Sequence, residues 1–169
     1  GINIQRRGVK FKPVGFDPLT DDGPLMLNKM HINNVFCNQH GMYISGLRTG
    51  GMLHFNGNAI NMAVELPAGT HNAQPFRDGV LFNDSADDVL RYTGRGEGKE
   101  DRAMAVPKYD PNELTHQTSK DEKLARPGFA RGLCLLSDTV VAGGASPSTV
   151  TLYDLVENTT LGSVQLSKD

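Results

Sequence analysis

The chain has 169 residues, 38% of them hydrophobic, with 19 glycines, no tryptophan and a net charge near −2. That is about one domain's worth of chain, long enough to bury a core. It carries no basic footprint for nucleic acid or an anionic membrane surface, and no apolar run nears the roughly 20 residues that span a bilayer.

Frequent glycines favour short strands and many turns over long helices. The opening "GINIQRRGV" is neither a natural start nor a signal peptide, so it reads as a trimmed beginning or as part of a longer protein. Cys37 and Cys134 make no metal-type spacing and demand no oxidising compartment. The expected setting is soluble and cytoplasmic, with the location left open.

In chain order, "NIQRRGVKFKPVGF" (3–16) could supply an outer strand of a preceding unit. "NVFCNQHGMYISG" (34–46) then reads as an apolar run, a turn at His40-Gly41 and a second apolar run. The half-buried alternation of "GMLHFNG" (51–57) follows, then a fourth run at 59–66. The pattern returns in "NAQPFRDGVLFND" (72–84), with a strong hairpin signal at Asp78-Gly79, and in "DVLRYTG" (88–94). The fourth run of this unit is placed near 102–107. A third copy comprises "RGLCLLSDTVVAG" (131–143), turning at Ser137-Asp138, then "TVTLYDL" (149–155) and 161–166.

The third turn follows the second at a longer interval than the second follows the first. That excess fits a surface insertion within 94–123, a charged stretch poor in large aliphatics. A four-stranded unit of about 40–45 residues is the pattern of a β-propeller blade. The expectation is an all-β chain, 1–169, forming a β-propeller-like domain or part of one, with about three blades and a partial one. Three blades do not close a ring, so the array is open or is completed by association. A β-sandwich with irregular strands is the alternative.

In such an array the first strand of each blade lines the channel. The loop entering it and the loop after its second strand share one face. His31, Asn33 and Asn34, then Thr70, His71 and Asn72, stand at the first two entries; Pro127 to Arg131 stand at the third. Counting back six places from each turn gives Asn34, Asn72 and Arg131. Such groups must bond to one another, to water or to a ligand, since leaving one buried and unpaired costs about 1–3 kcal/mol. They either tie blades together or hold a ligand.

Arg131 could clamp a carboxylate or phosphate with its planar fork, or pair with an acid such as Asp84. His31 and His71 could reach a divalent metal, helped by Asp84, Asp87 or Asp88; solvated or hydrogen-bonded imidazoles are the plainer reading. Arg48, on a loop, reads as solvated. Ser146 lies in no G-x-S-x-G setting, and "GRGEG" opens no helix after a βα unit. The two cysteines hold equivalent slots two blades apart, which argues for packing rather than a disulfide.

With "HINN" (31–34), "GTHNAQP" (69–75), "RPGFARGL" (126–133) and "GGASP" (143–147), the chain resembles a bacterial family of hypothetical β-propeller proteins classed as a domain of unknown function. The resemblance covers roughly 28–166. It implies the propeller fold and carries over no activity or catalytic residue.

Two functions stay open. One is a ligand- or protein-binding and assembly module, with Asn34, His71, Asn72, Asp84 and Arg131 at the channel mouth and no cofactor. Its partners would be a second copy or further blades, and a small polar or anionic ligand. The other is a metal-dependent hydrolase, lyase or epimerase of propeller type, with a divalent ion on His31 or His71.

Overall fold

The computed structural model describes residues 5–6, 9–10, 31–96, 99–113 and 126–167. The backbone divides into two units, 1–31 and 32–169. In the first, β1 (Gln5–Arg6) and β2 (Val9–Lys10) pair antiparallel, Gln5 opposite Lys10. Where an outer strand was expected over 3–16 the described residues form this short hairpin; the rest of that stretch lies outside them.

The second unit contains three four-stranded antiparallel sheets in succession. The first holds β3 (Ile32–Asn38), β4 (Gly41–Gly46), β5 (Gly51–Phe55) and β6 (Ile60–Glu65). The second holds β7 (Thr70–Phe76), β8 (Gly79–Asp84), β9 (Val89–Thr93) and β10 (Asp101–Ala105). The third holds β11 (Ala130–Leu135), β12 (Val140–Ala145), β13 (Thr149–Asp154) and β14 (Thr159–Gln165). Each strand pairs with the next in sequence, so each sheet is a meander. Among the described residues the helical content is one 3-10 turn, Pro111–Glu113. The described residues are therefore all-β, with three four-stranded sheets beside the short β1–β2 hairpin.

β10 falls inside the stretch read as a surface insertion. Met104 and Val106 alternate there with exposed neighbours and are buried, so packing recruits the start of that charged segment into the second sheet. Residues 114–123 lie outside the described residues.

The turns differ from expectation by one residue. Asn38 pairs with Gly41, and Phe76 with Gly79, so Gln39-His40 and Arg77-Asp78 make the turns and each glycine begins a strand. Arg77 takes the left-handed conformation, φ 50°. Gly79 is required for a different reason: a Cβ there would lie 2.2 Å from the Thr93 carbonyl oxygen. The third turn is longer. Leu136 N–H donates to Val140 O at 2.9 Å, leaving Ser137, Asp138 and Thr139 between them.

The core follows from the period-2 alternation of β8, whose six residues are all buried. Leu81 packs with Phe76, Leu90, Tyr92 and Met104 against Val141, Tyr153 and Leu155 of the third sheet. Val80 and Phe82, pointing the other way, pack with Ala73 against Met52 of the first. The middle sheet is thus covered on both faces, and each large aliphatic buried there contributes about 1.5–3 kcal/mol. The outer faces of the array differ. Val35, Ile60 and Met62 of the first sheet, and Leu152, Leu161 and Val164 of the third, are exposed. Cys37 and Cys134 are also free and exposed, which corrects the packing role expected of them.

Candidate functional site

The seams between sheets are built on a shared irregularity. The first strand of each four-stranded sheet carries a register shift near its start, between Ile32 and Asn34, His71 and Gln74, and Ala130 and Gly132. A bulge takes backbone groups out of the local ladder and aims them elsewhere. Ala73 is such a residue. Its N–H donates to Ser45 Oγ at 3.2 Å, and its carbonyl accepts from Asn34 Nδ2 at 3.1 Å. Asn33 Nδ2 donates to Thr70 O at 2.9 Å. Asn34, placed by the sequence at a channel mouth, therefore fastens the first sheet to the second.

Asn83 repeats this at the next seam. Its Nδ2 donates to Asn72 Oδ1 and to Gly132 O, both at 3.1 Å. Asn72 sits in the bulge with φ 55° and supports Asn83. Measured from the paired strands, the position of Asn34 and Asn72 falls in the third sheet on Gly132. The additional turn residue moves Arg131 one place off that slot, onto the other side of the strand.

His71, Ser85, Phe129 and Arg131 meet near the loops that precede β7 and β11 and follow β8. The His71 ring is nearly buried, with Nδ1 2.9 Å from Gly69 O and 3.1 Å from Ser85 Oγ. A carbonyl oxygen only accepts, so Nδ1 carries the proton. Phe129 meets this ring edge-on at 5.5 Å. His31 is exposed and belongs to the first unit. Among the described residues, no group of three His, Cys, Asp or Glu could hold a metal ion.

The acids beside this rim have structural tasks. Asp84 is buried. Its Oδ1 accepts from the N–H of Ala86 at 3.2 Å and of Asp87 at 3.4 Å, and its Oδ2 lies 3.5 Å from Arg91 Nε. Asp154 caps the matching loop of the third sheet, through Val156 and Glu157. Asp88 Oδ1 lies 2.5 Å from Arg126 Nη2, and its Oδ2 lies 2.6 Å from Lys108 Nζ. Burial alone would raise the Asp88 carboxyl, but its hydrogen bonds and ion pairs with Arg126 and Lys108 outweigh that and hold it below the usual range. Arg126 also donates to Ser85 O at 2.7 Å, locking the loop before β11 to the loop after β8.

Arg131 differs from these cations. Its guanidinium stacks 4.2 Å from the centre of the Phe129 ring, whose centre is 5.4 Å from the Arg126 guanidinium. Its side chain makes no ion pair with a described carboxylate: Asp84 is taken by Arg91 and Asp88 by Arg126 and Lys108. The contact with the ring face steadies the guanidinium without using its N–H donors in an ion pair with a described acid. The sequence reading found Arg131 and His71 but missed Asp88, Lys108 and Arg126 as one charged cluster. "RPGF" and the fifth residue of "DSADD" become neighbours only when two sheets stack.

A second concavity lies at the opposite end of the sheets. It is a cleft of about 460 Å³ between the turns of the first and second sheets, with Asn38, His40, Tyr43, Phe76, Arg77 and Arg95 in its lining. Arg77 is anchored, Nη2 donating to Asp138 O at 2.7 Å. Asp78, also in the lining, accepts a hydrogen bond from the Tyr92 hydroxyl. The sequence carried no signal for this site, because the turns that form it are distant in the chain.

A scan against protein-family models and a search of the curated proteins found no match. A search of the solved structures found a similar backbone in the crystal structure of a computationally designed protein, Ika8, with a TM-score of 0.51 and 13% sequence identity. The match covers 82% of this chain and 37% of that one. The chain thus spans well under half the length of the designed protein, and at this identity the likeness concerns the fold alone.

Proposed function

We propose that the chain is part of a β-propeller, each four-stranded sheet a blade, and that it acts as a binding and assembly module. Two features support the blade reading. The first strand of each later sheet packs on the sheet before it, β7 against β3, β4 and β5, and β11 against β7 and β8. The sheets also use equivalent bulges at their seams. The sequence resemblance to hypothetical propeller proteins agrees with this reading. Further blades or a second copy would pack on the apolar end faces.

The rim around Arg131 is the binding surface, and its ligand carries a carboxylate or phosphate. The observation that carries this is the guanidinium stacked on Phe129 with no described acid paired to it. An arginine steadied over a ring in this way loses less freedom than a free one on binding an anion through two hydrogen bonds. Inorganic phosphate and acetate, titrated separately into labelled protein and followed by NMR, test it. Amide shifts should centre on 128–132. Arg131→Ala should weaken binding at least tenfold, and Arg131→Lys should recover part of it. Shifts elsewhere, or an unchanged affinity in Arg131→Ala, overturn the assignment.

A further inference from the structure

We infer that the cleft at the opposite end of the sheets is a second binding site, for a small monoanion with an apolar body such as an aromatic carboxylate. Its volume of about 460 Å³ lies within the ~300–1,000 Å³ of small-molecule sites. Tyr43 and Phe76 supply an apolar wall, with Asn38 and His40 adding polar groups beside it. Two guanidiniums, Arg77 and Arg95, share the lining with a single carboxylate, Asp78. One positive charge is left over, which a monoanion balances. A dianion such as phosphate would instead crowd Asp78.

The walls are held in place before any ligand arrives. The Arg77 guanidinium lies 5.0 Å from the centre of the Phe76 ring and reaches the third sheet at Asp138. The His40 backbone is tied at both ends, its N–H donating to Asn38 Oδ1 at 2.8 Å and its carbonyl accepting from His54 Nε2 at 2.9 Å. The same His54 ring stacks on Tyr43 with centres 4.6 Å apart. Asp78 is steadied by Tyr92. Arg95 is the exposed member, with no hydrogen bond or ion pair to a described residue, so it is the arm that would close on the anion.

Benzoate is the probe, followed by NMR titration of the whole chain, with benzyl alcohol as its uncharged counterpart. Benzoate should shift amides in 38–43 and 75–79 and bind at least tenfold tighter than benzyl alcohol. Arg95→Ala, an exposed change that spares the core, should remove that advantage, while Arg131→Ala should leave it intact. Equal binding of the two probes overturns the inference, as does an absence of shifts in these turns. So does benzoate binding that Arg131→Ala abolishes, which would assign the anion to the other rim alone.

Discussion

The carbonyl of Gly132 accepts a hydrogen bond from Asn83 Nδ2 at 3.1 Å, across the seam between the second and third sheets. Asn83 is 1% exposed and gives its other amide hydrogen to Asn72 Oδ1. Replacing it with alanine strands two acceptors in a place with little access to water. Asn83→Ala should cost about 1–3 kcal/mol in urea unfolding. Asn83→Leu, which fills the space but not the hydrogen bonds, should not restore the loss.

Two glycines make opposite predictions. Gly79→Ala pushes a methyl group against main chain, 2.2 Å from Thr93 O and 2.8 Å from Gly94 Cα, and neither backbone atom can rotate aside. It should destabilise by about 1–3 kcal/mol. Gly162→Ala meets nothing within 4 Å. By reducing the freedom of the unfolded chain it should be neutral or raise stability by up to about 1 kcal/mol. Thermal melts of the two variants check both signs.

Tyr92 gives a signature at high pH. Burial first, and then its hydrogen bond to the negative Asp78, push the phenol up to about 12 from an ordinary 10.0. Folding therefore favours the protonated phenol. Its contribution is fully present below pH 10 and is lost as pH rises toward 12. Wild type should lose stability across that window in chemical unfolding, and Tyr92→Phe should flatten that part of the decline. A phenolate absorbance titration should show one tyrosine fewer ionising late in the variant.

The exposed ends of the array predict association. Across the third sheet Cys134, Ala142, Leu152 and Gly162 form one row, and Val150 faces Val164 in the next. Such a surface of small and aliphatic groups resembles the buried seams rather than a solvated face. Sedimentation should show mass rising with protein concentration. Leu152→Glu combined with Val164→Glu should return the chain to a monomer with its circular dichroism unchanged. A wild type that stays monomeric at high concentration would argue against a second copy on this face.

How far the sequence could be read depended on the range of the force involved. The strands of each meander were visible because alternating side chains and turn residues act over a few neighbours. β10 was placed only approximately, since nothing local separates it from the charged segment around it. Asn34 stood out as a polar residue that needed a partner, but its partner, Ala73 O, belongs to another sheet. Counting from turns failed at Arg131 because the third turn holds three residues, and a shift of one reverses the side of a strand.

The sequence by itself determined an all-β chain with its repeated hairpins, because the period-2 pattern and turn preferences are properties of short segments. Only the tertiary structure decided which carboxylates were spent on caps and ion pairs, leaving Arg131 without a described acid. It also decided that turns from two sheets would enclose a cleft at the far end. Hydrogen bonds and ion pairs between distant segments exist only after the sheets stack, and bulges one residue long direct them.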